Sequence, residues 1–259
     1  MRLRAGCDLK IETENDTPLI AMLRPRSGTG QWVASESYQL EPFTQVLEYT
    51  DGFGNLCQRM VAPKGKFQMR VETVVETSDK VAVKPGAPAT PIQELPEDTL
   101  QFLLQSRYCQ SDLMEEKAKL VAGTARPGYD QAEAVRAFIH DSFEYKYGVS
   151  TAATTALDTL RSEAGVCRDF SHVGIALCRA LMLPARMVVG WLHELDPMDM
   201  HAWFEVFVDG AWYTFDATQH TPRGGRIAVA YGRDAADVAL FSEFGDTKVA
   251  DMKVWVERA

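Results

Sequence analysis

Asp209-Gly210 lies between two runs of strand formers, His201-Ala202-Trp203-Phe204-Glu205-Val206-Phe207-Val208 and Ala211-Trp212-Tyr213-Thr214-Phe215-Asp216-Ala217. A two-residue Asp-Gly link predicts a tight hairpin, whose twist-matched turn needs positive φ at both central residues. That turn fixes the register: Val208 faces Ala211, Trp203 faces Asp216 and His201 faces Thr218. Side chains alternate along a strand, so His201, Trp203 and Asp216 fall on one face. His201 and Asp216 become diagonal neighbours with α-carbons about 7–8 Å apart, close enough for imidazole and carboxylate to meet. A slip of one residue would separate them onto opposite faces.

Upstream, Phe170, Val173, Leu177 and Leu181 recur at helical spacing, and Pro184 ends the run. Gly165 precedes Cys167 and is expected to supply unusual backbone dihedrals for the approach. Cys167 then falls in the first turn. There the free backbone N–H groups and the helix dipole favour an anion, and a thiolate is an anion. The same N–H groups suit a tetrahedral oxyanion. Asp169 in that turn complements the dipole and caps. Cys167, His201 and Asp216 together are the parts of an activated cysteine nucleophile: thiol, proton carrier, and the carboxylate that orients it.

The motifs also carry a resemblance. Gly165-Val166-Cys167-Arg168-Asp169-Phe170, the strand Asp199-Met200-His201-Ala202-Trp203-Phe204-Glu205-Val206 and the Phe215-Asp216 pair resemble those of bacterial transglutaminase-like proteins, many regarded as candidate cysteine proteases. Phe143-Glu144-Tyr145-Lys146-Tyr147-Gly148 looks like the family's lead-in, and Gly232 to Ala239 like its closing segment. Asp51-Gly52-Phe53-Gly54-Asn55 resembles part of its β-rich amino-terminal region. The resemblance implies an α+β, papain/transglutaminase-like core with Cys167, His201 and Asp216 as the catalytic set. Such a set performs acyl transfer on peptide or isopeptide amides, and hydrolysis is expected ahead of transamidation because water is abundant and transfer to an amine requires a site that excludes it. Ala217-Thr218-Gln219 departs from the pattern, since many relatives carry proline and then asparagine or arginine there.

Rival uses of these residues are weaker. His193, Asp196, Asp199 and His201 crowd one segment, but their spacing matches no His-Glu-x-x-His motif and no cysteine pair joins them. No acidic, glycine-bearing calcium loop is evident either. No metal and no cofactor are therefore expected. His220 is a second candidate base, and His140 and His172 read as helix residues. Cys7, Cys57, Cys109 and Cys178 lack partners and read as packing. Trp203 either shields His201 or packs in the sheet. A chain that kept only the fold would be a peptide-binding module, but none of the three residues is missing.

Composition excludes other classes. A net charge of −9 argues against a nucleic-acid surface. No apolar run reaches the roughly 20 residues of a membrane span, and charge follows the first methionine at once, so no signal peptide or membrane partner is expected. Five unpatterned cysteines do not read as a disulfide framework, and a cytoplasmic setting suits a thiol that stays reduced. Along the chain, residues 1–83 read as a β-sandwich-like module and 84–98, with four prolines, as a linker. Residues 99–259 read as helices packed on an antiparallel sheet. Within them Asp130 is expected to cap one helix, and a short helix over 155–161 leads to the cysteine loop. The first module reads either as a docking piece for substrate or partner or as a scaffold wall for the cleft, and the sequence favours neither. The oligomeric state is left open.

Overall fold

The computed structural model describes residues 1–28 and 30–259. Six strands open the chain: β1 (Arg2–Thr13), β2 (Thr17–Ala21), β3 (Gln31–Glu41), β4 (Leu47–Thr50), β5 (Leu56–Ala62) and β6 (Gly65–Thr77). Their alternation is plain in β6, where Phe67, Met69, Val71, Thr73 and Val75 are buried and their neighbours are not. Four helices follow: α1 (Glu115–Ala122), α2 (Tyr129–Ser142), α3 (Ala156–Ser162) and α4 (Cys167–Ala180), with short strands β7 (Glu144–Tyr145) and β8 (Ala164–Gly165). A second run of strands comprises β9 (Ala185–Leu192), β10 (His201–Val208), β11 (Ala211–Phe215), β12 (Arg226–Gly232), β13 (Phe241–Glu243) and β14 (Thr247–Arg258).

The central sheet has the order β11-β10-β9-β12 and is antiparallel throughout. Ala202, Phe204, Val206 and Val208 from β10 enter a core with α4 and the other helices. A second core fills the amino-terminal sandwich and takes in Trp191, Ile227 and Val229 from the central sheet. The sandwich is thereby cemented to β9 and β12. Asn55 adds polar ties: its side chain donates to the Tyr231 carbonyl (2.7 Å) and accepts the Tyr231 N–H (2.8 Å).

Three expectations need correction. Residues 241–258 do not belong with the central sheet: β14 pairs with β1 and β13 with β2, giving sheets β14-β1-β6-β3 and β13-β2-β5-β4. Composition does not reveal that exchange, since any strand satisfies its backbone groups at whichever edge it reaches. The proline-bearing stretch 84–98 is not a free linker. Ala87 is buried and accepts the Tyr129 N–H, and the Pro88 carbonyl accepts the Asp209 N–H. Finally, Gly128 stands at the cap of α2 instead of Asp130, which is the second residue of the helix and accepts from the Gly86 N–H and Arg126. The capping box falls on α3, where Thr155 and Asp158 bond reciprocally.

Candidate active site

Cys167 is the first residue of α4 and is half-buried, whereas Asp169 to Arg179 behind it are buried. The helix approaches β10 closely because Gly174 has no side chain: a Cβ there would lie 2.5 Å from Phe204 Cε1. Asp169 does cap, its Oδ2 accepting the Val166 N–H at 3.0 Å while Oδ1 accepts two Arg168 bonds at 3.0 and 2.7 Å. Gly165 serves differently from the expectation. Its φ is ordinary, and what it supplies is space, since a Cβ would meet Asp169 Cβ at 2.7 Å. The Phe143–Gly148 lead-in runs beside this turn because β7 pairs with β8 in parallel, Tyr145 opposite Gly165. Tyr145 packs edge-on against Phe170 and lies close enough to Cys167 for the thiol to act on its phenol.

The hairpin has the expected register, with Val208 opposite Ala211 and Phe204 opposite Phe215. Asp209 (φ 48°) and Gly210 (φ 76°) take the positive dihedrals that the turn demands. His201 opens β10, Asp216 follows the last residue of β11, and His201 Nε2 lies 2.7 Å from Asp216 Oδ2. Nδ1 is thus the imidazole nitrogen not engaged by Asp216, and Cys167 borders the same cleft as His201. Both partners are nearly out of solvent, His201 2% and Asp216 6% exposed.

A residue that sequence reasoning missed completes the cluster. Arg226, the first residue of β12, is 9% exposed and donates from Nη2 to the same Asp216 Oδ2 at 2.8 Å. Its Nε donates to the Arg223 carbonyl at 2.9 Å, and its guanidinium lies 5.0 Å from the centre of the Trp203 ring. Trp203 in turn stands 6.1 Å from the His201 ring, so it is both sheet packing and a shield. Thr218 fills the other carboxylate oxygen, donating its N–H (3.0 Å) and hydroxyl (2.7 Å) to Oδ1. The sequence signal was a lone charge opening the otherwise apolar run Ile227-Ala228-Val229-Ala230.

These contacts set the protonation states. Burial alone would push the His201 imidazole down, but the Asp216 carboxylate and the thiol outweigh it, and the pKa is raised to about 9. Asp216 is likewise opposed by burial, yet the charges of His201 and Arg226 hold it far below the usual carboxylate range. Burial and then the Cys167 thiol push the Tyr145 phenol well above its ordinary value, so it keeps its proton.

The rival histidines lie elsewhere. His220 lies beside His140 with the rings tilted at 45°, and His140 Nδ1 is 3.1 Å from the Ala217 carbonyl. His172 is wholly buried under Tyr108, and burial lowers its pKa to about 4. Its neutral Nε2 accepts the Ala235 N–H at 3.1 Å. Asp199 accepts the Met200 N–H at 2.7 Å. Among the described residues no group of three or more His, Cys, Asp or Glu side chains has metal-binding geometry.

Comparison with known proteins fits this architecture. Residues 115–217 match the transglutaminase-like superfamily core and residues 15–76 the bacterial transglutaminase-like N-terminal region. A crystal structure from Cytophaga hutchinsonii, described as a candidate cysteine protease, superposes with a TM-score of 0.91 at 33% identity, covering 99% of this chain and 90% of that one. The chain belongs to the transglutaminase-like superfamily. Uncharacterised mycobacterial proteins share the sequence as well. One from Mycobacterium leprae is 27% identical over 92% of this chain and 90% of its own. One from Mycobacterium tuberculosis is 25% identical over 83% and 77%. None of the helices described in this transglutaminase-like chain is long and apolar enough to cross a membrane.

Proposed function

We propose that this protein is a cysteine-nucleophile acyl-transfer enzyme that hydrolyses peptide or isopeptide amides, with Cys167, His201 and Asp216 as its catalytic residues. The observation that carries the reading is the 2.7 Å contact between His201 Nε2 and Asp216 Oδ2, in an imidazole that shares one cleft with a thiol at a helix N-terminus. Superfamily membership supports it.

In this mechanism the Cys167 proton resides on His201 Nδ1, and the thiolate attacks the amide carbonyl carbon. The Cys167 N–H and the Tyr145 hydroxyl are the donors at hand for the oxyanion. As the C–N bond breaks, His201 passes its proton to the leaving amine, and a thioester remains on Sγ. Asp216 holds the imidazole and balances its charge throughout. Water, activated by the now neutral His201, attacks the thioester and releases the carboxylic acid, and the thiol takes the proton back. Water is the proposed acceptor because Cys167 is only half-buried and its thioester stays wet, whereas transfer to an amine requires water to be excluded.

The test is amide cleavage by wild type and Cys167→Ala with product identification. Loss of cleavage in the variant and a free carboxylate product are expected. Cleavage surviving in Cys167→Ala would end the proposal, and an amine-substituted product formed in preference to acid would redirect it to transamidation.

A further inference from the structure

His201 and Met200 form a shared partition between two cavities, one strongly apolar and one mixed. On one side lies a cleft of about 360 Å³ that also includes Cys167. Its walls are Met187, Val189, Ala202, Val238, Ala239 and Leu240. Arg168 also borders it, with Nε and Nη2 engaged by Asp169, Ser150 and the Thr151 carbonyl. On the other side lies a pocket of about 110 Å³ lined by Tyr145, Tyr147, Asp196, Asp199, Thr218 and Gln219, and Cys167 does not line it.

The proposed chemistry sorts the two. The acyl group stays bonded to Sγ after the C–N bond breaks, so its side chain must occupy space that Cys167 borders. The amine departs with a proton from the imidazole and needs only to border His201. We infer that the apolar cleft is the acyl-side specificity pocket, and that the substrate class is amides whose acyl residue carries a large apolar side chain. This rests on Cys167 being the nucleophile.

The cleft is built as a fixed mould. Asp234 accepts the Tyr108 N–H at 2.7 Å and the Ala236 N–H at 2.9 Å, and His172 accepts the Ala235 N–H. The Leu240 carbonyl accepts the Met22 N–H from the amino-terminal module. That tie gives the module a part in specificity as a wall. A polar carboxamide side chain seated deep in the cleft would bury its amide against these methyl and thioether groups, which disfavours glutamine as acyl donor.

The test uses N-blocked aminoacyl fluoromethyl ketones with Leu, Phe, Gln, Asp and Lys side chains, and follows Cys167 alkylation by site-resolved mass spectrometry. Leu and Phe probes are expected to react about tenfold or more faster than the other three. In Ala239→Glu the Leu-to-Lys rate ratio is expected to fall at least tenfold. Equal rates across the panel, or a faster Gln probe, would overturn the pocket assignment while leaving the nucleophile standing. If Cys167 reacts with iodoacetamide at pH 6 no faster than an ordinary thiol, the nucleophile reading fails and the pocket assignment with it.

Discussion

Arg226→Gln tests how the histidine is tuned. Arg226 Nη2 and His201 Nε2 each lie within 2.8 Å of Asp216 Oδ2. The two nitrogens are therefore at most about 5.6 Å apart, and with an effective dielectric of about 20 the cations repel by about 3 kcal/mol, or about two pH units. Removing a cation makes a nearby proton harder to lose, so the imidazolium midpoint should rise above its value of about 9. Water entering the space and a looser carboxylate will screen part of this, and a rise of one to two units, about half to all of the Coulomb figure, is expected. The assay is a pH titration of the histidine ring carbons by NMR, tractable because the chain has 5 histidines. Arg226→Lys, which keeps the charge, should leave the midpoint near that of the wild type. A His201 midpoint that stays put or falls in folded Arg226→Gln would refute the electrostatic reasoning and leave Arg226 a purely structural clamp.

Asp216→Asn should lower the His201 midpoint and, by stranding buried Arg226, cost about 3–5 kcal/mol in a denaturant titration; an unchanged midpoint would contradict the assigned contacts. Gly174→Ala should lose about 1–3 kcal/mol against Phe204 despite alanine's better helix propensity, read as a lower urea midpoint. His172 is neutral in the native chain down to about pH 4, whereas the unfolded chain binds the proton near 6.5. Stability should therefore fall as pH drops from 6.5 to 4, by on the order of 3 kcal/mol. This acid sensitivity should shrink in His172→Gln when urea midpoints are compared at pH 7 and 4.5.

The candidate site was legible where local rules decide. The Asp209-Gly210 turn and strand alternation bring His201 to Asp216, and an apolar stripe places Cys167 at a helix start. Arg226 was not legible, because it meets Asp216 only after β12 pairs with β9, a partnership between segments separated by the whole hairpin. Nor was the cleft, whose walls come from β9, β10 and the loop before β13. Gly165 shows a subtler failure: glycine signals freedom of φ or lack of bulk, and the residue alone does not say which.

The return of β14 to β1 has a consequence for biosynthesis. The ribosome delivers α4 and the β10–β11 hairpin before it delivers the strands that close the sandwich. Until then β1 presents one open edge, a template for stray pairing, and the nascent polypeptide depends on long-range closure that forms slowly. The loop over 234–240, one wall of the cleft, leads directly into β13 and is anchored at Leu240 to Met22. The thiol and imidazole can thus be in place while the mould beside them is still open. A newly made molecule would hold Cys167, His201 and Asp216 before the proposed pocket beside them had closed, and β13 and β14 act as the clasp that completes it.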